Sequence, residues 1–289
     1  MKVCGFTFVR NAVKYDYPVI ESIQSVLPLC DHFIVNAGNS EDETNVMLAT
    51  LNNNKVKVIH SIWDDTLREG GQVLAVETNK ALDAIPDEYD WAIYIQADEV
   101  LHESDYINIR AAMEKHLHDK SVEGLLFNYN HFYGTYDFVA DSRKWYRREI
   151  RIIRNDKKIR SYKDAQGFRK EGRKLVVAPV NAGVYHYGWV KDPFHQKEKE
   201  KSFHKMWHDD EWVKKNVKED ALFDYSKIDS LSRFQGKHPV VMQNRISSRT
   251  WNVNLNPSIK RMSFKNKILQ LIEKLTGKRL FEYRNYVTK

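Results

Sequence analysis

Cysteine is nearly absent: Cys4 and Cys30 are the only two in 289 residues. Two cysteines build no disulfide framework and no thiolate metal site. Both lie in apolar surroundings, where buried, inert thiols are expected. Long hydrophobic runs are missing as well, and no stretch approaches the ~18 apolar residues of a membrane span. There is no internal repeat and no low-complexity linker, so one compact domain with a C-terminal helical extension is expected rather than two domains. Hydrophobic residues make up 42% and charged residues 29%, a balance that excludes a disordered chain. The opening Lys2-Val3-Cys4-Gly5-Phe6-Thr7-Phe8-Val9 is too short and too regular for a signal peptide and reads as a first strand. Together these features predict a cytoplasmic protein.

Acidic residues are scarce in one half only. Residues 1–145 hold 12 Lys/Arg and 23 Asp/Glu, a balance of −11, whereas residues 146–289 hold 34 and 16, a balance of +18; the two sum to the net +7. The first half reads as a globular unit with an acidic site. The second is suited to anions such as phosphates, acidic saccharides or lipid headgroups. A nucleic-acid-binding protein would explain the basic half, but it leaves the acidic half unexplained and no nucleic-acid motif is present.

Strand-like runs at Val3–Val9, His32–Asn36, Val56–His60 and Trp91–Gln96 alternate with helical patterns at Asp16–Leu27, Glu43–Leu51 and Gly71–Ile85. This alternation predicts a βαβ-built parallel sheet whose strand ends share one edge. A helix near Ser104–His118 follows, then strand patterns at Val122–His131, Glu149–Arg154 and Ala182–Tyr187. The basic stretch Lys157–Lys174 reads as turns and loops. From Pro193 onward the chain is helical and basic, ending in an amphipathic pattern over Ser258–Gly277.

The chemistry gathers at strand ends. The apolar run Trp91–Ile95 leads into Gln96-Ala97-Asp98-Glu99. Carboxylates at the end of a buried strand sit where open α/β sheets bind ligands, and such oxygens suit a divalent cation joined to a substrate phosphate. The same pair would equally suit a solvated turn. Asn36-Ala37-Gly38-Asn39-Ser40-Glu41-Asp42 follows the second strand and suits a base and ribose, or a plain βα turn. Arg68-Glu69-Gly70-Gly71 offers a guanidinium beside two glycines that allow close backbone approach. Asn79 is polar within an apolar helix. His186, between Tyr185 and Tyr187, is a second metal ligand or a stacking residue.

In order and spacing these pieces resemble the family 2 glycosyltransferases, over about residues 1–190. Phe6-Thr7-Phe8-Val9-Arg10-Asn11 is similar to that family's first strand and turn. Asn36 to Thr44 is similar to its nucleotide loop, and Gln96-Ala97-Asp98-Glu99 to its metal motif. The resemblance implies a GT-A-type, Rossmann-like fold: a mixed, mostly parallel sheet flanked by helices. It divides the chain into a catalytic part, residues 1–190 (1–100 for the nucleotide, 101–190 for the acceptor), and a basic helical extension, residues 191–289. It implies inverting transfer from a nucleotide-diphosphate sugar, a UDP-sugar first, to a saccharide or lipid-linked glycan in surface-polysaccharide or lipopolysaccharide assembly.

By the same resemblance Val9, Asn11, Asn36, Gly38, Arg68, Asn79, Gln96 and Ala97 would meet the nucleotide. Asp98 and His186 would hold Mn²⁺ or Mg²⁺, with Glu99 assisting. Asp164 is the expected general base, with Asp137 and Asp141 in reserve. Two residues depart from the family pattern: Asn36 and Gln96 stand where aspartates are usual. Those departures keep a second reading in view, a non-catalytic nucleotide-sugar-binding or polyanion-binding protein. The amphipathic tail either packs on the catalytic part or a second subunit, or holds the protein to the inner face of an anionic membrane.

Overall fold

The computed structural model describes residues 1–216 and 222–289. In chain order the first half runs β1 (Val3–Val9), α1 (Val19–Val26), β2 (His32–Gly38), α2 (Thr44–Ala49), β3 (Val56–Ser61), α3 (Gln72–Asp83), β4 (Trp91–Tyr94), β5 (Glu99–Leu101) and α4 (Tyr106–Lys115). Then come β6 (Gly124–Tyr133), β7 (Thr135–Ala140), β8 (Arg148–Arg154), β9 (Ile159–Tyr162), β10 (Gly167–Lys170), β11 (Arg173–Lys174) and β12 (Val176–Trp189). The remainder holds α5 (Pro193–Lys205), α6 (Asp210–Asn216), β13 (Leu231–Arg233), α7 (Gln243–Ser247), α8 (Phe264–Thr276) and β14 (Val287–Thr288).

The expected α/β sheet is present, and its first half follows the sequence pattern closely. Strands β3, β2, β1 and β4 lie side by side and all parallel. β8 joins antiparallel to β4, β6 antiparallel to β8, and the sheet continues through β7 to β13. β12 runs parallel to β6 along its other side and also pairs antiparallel with the short β5. The apolar runs are strands because both of their faces are covered. One face of β1, β2 and β4 packs with α1 and α4 through Val3, Val35, Ile93, Ile23 and Ile109. The other face packs with α3 through Phe6, Ile34, Tyr94, Ala81 and Leu82.

Lys157–Lys174 corrects the expectation of turns and loops: β9, β10 and β11 form a small antiparallel sheet. Its inward residues Ile159, Ser161 and Phe168 are buried, but arginines and lysines between them hide the period-two pattern. The hairpin partner β7 was likewise not evident in the sequence. The last hundred residues are woven into the fold rather than appended to it, since β13 pairs with β7 and β14 with β12.

Among the described residues, one core carboxylate makes no ion pair. Glu149 of β8 is buried, and burial pushes its carboxyl up from 4.5 to about 7 despite the nearby Arg151 guanidinium. A carboxyl raised on folding weakens the fold as it ionises: there is no cost below the unfolded value, and the full cost is present above pH 7. That shift corresponds to about 3 kcal/mol. Glu149→Gln is therefore expected to match the parent protein near pH 4.5 and to exceed it by up to this amount at pH 8. Urea melts at both pH values test this, and a pH-independent difference would refute it.

Candidate functional site

The carboxyl ends of β1, β3 and β4 open into a cleft of about 1010 Å³. Its walls are Phe8 to Asn11 after β1, Trp63 to Arg68 after β3, and Gln96 to Asp98 after β4. Asp164 and Gln166 enter from the turn between β9 and β10, His186 and Trp189 from β12, and Lys199, His204 and Asp210 from α5 and α6. The structure thus brings Val9, Asn11, Arg68, Gln96, Ala97, Asp98, Asp164 and His186 to one cavity.

The centre is Asp98. Its Oδ2 lies 3.0 Å from the Lys199 ammonium and 3.6 Å from His186 Nε2. Burial works against its charge, but Lys199, His186 and Lys191 outweigh burial and hold the carboxyl well below the usual range. Gly188 makes the approach possible, because a Cβ there would fall 2.6 Å from both Asp98 Oδ2 and His186 Nε2. Lys191 is wholly buried beneath the same pocket, its ammonium on the Asp16 carbonyl and over the Tyr17 ring. Burial, then Lys199, pushes it down to about 7.

The ring orientations follow from acceptors that cannot donate. His131 Nε2 is 2.7 Å from the Tyr146 carbonyl, so that nitrogen carries a proton. Burial and the adjacent His186 push His131 down to about 3, so the ring is neutral and its Nδ1 accepts. His186 Nδ1, 3.1 Å away, must then donate. That assignment fixes the His186 ring with its Nε2 facing the Asp98 carboxylate at 3.6 Å.

Asp98 Oδ2 and His186 Nε2 are groups of the kind that ligate a divalent cation. Among the described residues no group of three His, Cys, Asp or Glu is placed to hold a metal ion. A divalent ion on Asp98 and His186 would take its other ligands from a diphosphate, a pattern usual for Mg²⁺. The donor set fits on those terms, as two protein ligands of such an ion.

Glu99, expected to assist, does not reach the cleft. Its two oxygens take a bidentate pair from Arg151 at 2.7 Å each, and Tyr129 donates at 2.7 Å. The Gln96 backbone N–H adds a fourth bond at 3.1 Å. Glu99 is thus fully used in holding the turn that carries Asp98.

Three expected nucleotide contacts lie outside the cleft lining. Asn36 is buried under α3, donating to the Glu77 carbonyl and carboxylate, and its own oxygen has no partner. Gly38 instead makes room: a Cβ there would strike the indole of Trp63 and crowd Arg10, both of which line the cavity. Asn79 accepts from the Ser161 N–H at 2.8 Å and so ties α3 to the strand leading to Asp164. The reserve bases are engaged elsewhere, Asp137 with Thr135 and Arg249 and Asp141 with Ser230 and Lys260.

Asp164 sits between Lys163 and Ala165, both with left-handed backbone, and against Gly71 at the start of α3. Burial raises its carboxyl above the usual carboxylate value. The loop after β2 is locked to the loop after β1, because Asn11 accepts from the Glu41 N–H and donates its own N–H to Ser40.

No protein-family model matches the sequence, and no curated protein sequence is significantly similar to it. Solved structures similar to it include TarS of S. aureus, residues 1–349, at 14% identity and a TM-score of 0.37, covering 70% of this chain and 64% of that one. The same fragment in complex with UDP gives 15% identity and a TM-score of 0.38 over the same shares. Glucosyl-3-phosphoglycerate synthase from Mycobacterium tuberculosis, in complex with Mn²⁺, UDP and phosphoglyceric acid, gives 15% identity and 0.30, covering 46% of this chain and 43% of that one. The chain spans less than two thirds of the length of each.

Sequence reasoning missed Lys199, Lys191, His131 and Tyr146. The Asp192-Pro193 helix start announces α5, and Asp192 does cap it through the N–H groups of Phe194 and His195. Nothing in the sequence singles out one lysine on that helix among four.

Proposed function

We propose that this protein is a GT-A-type glycosyltransferase that moves a sugar, with inversion, from a nucleotide-diphosphate donor to a saccharide or lipid-linked glycan acceptor. The observation that carries the reading is the convergence of Asp98, His186, Lys199, Arg68 and Asp164 in one cleft at the strand ends. The motif resemblance supports the inverting class, a UDP-sugar donor, a cytoplasmic reaction and a role in surface-polysaccharide or lipopolysaccharide assembly. Residues 1–190 are the catalytic part on this reading, and residues 191–289 lend it Lys199.

Asp98 and His186 would hold a divalent ion, Mn²⁺ or Mg²⁺, which would supply charge to offset that on the departing diphosphate. Lys199 and Arg68 are cations facing the same group. Asp164 takes the proton from the acceptor hydroxyl as its oxygen bonds to the anomeric carbon. The bond from that carbon to the phosphate oxygen breaks, and its electron pair leaves with the nucleoside diphosphate. Val9, Asn11, Gln96 and Ala97 line the floor against which the nucleoside lies.

Titration calorimetry with UDP, GDP and TDP, each with Mn²⁺, Mg²⁺ or EDTA, tests the donor site. Metal-dependent binding of one nucleotide is expected; no binding of any would overturn the reading. Asp164→Asn is expected to cut turnover by about 10²–10⁴-fold while nucleotide affinity is unchanged. Retained turnover would remove Asp164 from its role. Nucleotide binding with no transfer to any acceptor, in the parent protein, would favour the non-catalytic alternative.

A further inference from the structure

Helix α8 is amphipathic, yet it is docked by the side that carries Gln270 and Glu273, with Leu269 and Ile272 half-buried beside them. Ser263 caps its first turn and Gly277 ends it in the left-handed conformation. Glu273 pairs with Arg143 at 2.6 Å and with Arg147 at 3.5 Å, and Gln270 donates to the Asp141 carbonyl at 2.8 Å. On the opposite side Phe264, Ile268, Leu271 and Leu275 recur at i, i+4, i+7 and i+11, a single helical stripe. They are 79%, 44%, 57% and 76% exposed. Leu280 and Phe281, just beyond the helix, are exposed as well. Helices in globular proteins ordinarily turn such a stripe inward. Of the alternatives left open for the amphipathic tail, packing on the catalytic part holds for the face carrying Gln270 and Glu273, whereas this stripe is left in solvent.

Lys265, Lys267, Lys274 and Lys278 accompany the stripe, and none makes a salt bridge among the described residues. We infer that α8 is an interfacial helix that lays this stripe into an anionic lipid surface. Apolar side chains rimmed by unpaired lysines match a bilayer in which acyl chains lie beneath negative headgroups. A second copy of the chain is a poor occupant, because isologous pairing would bring the same lysines face to face. No helix among the described residues is long and apolar enough to cross a membrane, so α8 would lie on the surface. Its anchors sit on the loop between β7 and β8, whose Tyr146 lines the cleft, so a surface-bound acceptor would be held near the site. The inference stands whether or not the cleft transfers sugar.

Flotation of the full chain with phosphatidylcholine vesicles, with and without phosphatidylglycerol, tests it. Binding is expected only with the anionic lipid and should weaken as salt rises. Leu271→Ser with Leu275→Ser should lower binding about tenfold or more, and Lys267→Glu with Lys274→Glu should do the same, with nucleotide affinity and melting temperature unchanged. Failure of the parent protein to float with anionic vesicles would overturn the inference. So would a dimer in solution that the leucine substitutions dissociate.

Discussion

Asp98→Ala is expected to lower sugar transfer by about a thousandfold, the scale of losing one preorganised electrostatic group in an active site. The reason lies in what surrounds the carboxylate. Lys199, Lys191 and His186 all converge on Asp98, so removing its carboxylate leaves them without the charge they face. The variant should also lose metal-dependent nucleotide binding, which Asp164→Asn should not. Steady-state rates beside calorimetry with Mn²⁺ and with EDTA separate the two residues. Undiminished turnover in Asp98→Ala would end its assignment to the reaction centre.

Arg151→Met is expected to destabilise the fold by about 3–5 kcal/mol, the cost of stranding a buried charge. Both partners are essentially inaccessible, with Arg151 and Glu99 side chains 1% and 0% exposed. The guanidinium also reaches the Ile150 and Gln166 carbonyls and lies against the rings of Tyr94 and Tyr129. Met fills the space but leaves Glu99 with only Tyr129 and a backbone N–H. The double variant Glu99→Gln, Arg151→Met should recover part of the loss, because no unpaired charge then remains at this pair. Urea melts of the three proteins decide it: a single-variant loss below about 1 kcal/mol, the range of a surface pair, would refute the account.

The parallel half of the sheet was legible because its strands are buried on both faces. Trp91 to Ile95 has no polar residue to interrupt it, and Val3 to Val9 has only Thr7. The end of β4 could be found for the same reason, since Asp98 follows directly where the apolar run stops. Less legible was anything assembled across sequence distance. Asp98 and Lys199 are about a hundred positions apart, and His131 meets His186 only because β6 and β12 run in register. Glu99 illustrates the difficulty best. Adjacent carboxylates look alike in sequence, but Asp98 lies in the turn between β4 and β5 whereas Glu99 opens β5, and the one partnered by Arg151 is withdrawn from the cleft. Asn36 likewise sits mid-strand, where alternation turns it under α3. The small sheet β9 to β11 escaped notice because its buried set, Ile159, Ser161, Gly167, Phe168 and Arg169, includes a basic residue and only two large apolar ones.

The docking of α8 by Glu273 and Gln270 has an entropic consequence. Many amphipathic segments are unstructured in water and become helical only as they reach their target, so part of their interaction energy is offset by ordering the chain. Here two arginines and a backbone carbonyl hold the helix in shape beforehand, and its side chains already share one stripe. Attachment then requires no folding transition, and detachment leaves nothing to refold. Affinity for a surface would rest on contact area and charge alone, and the same folded protein would serve on either side of that equilibrium.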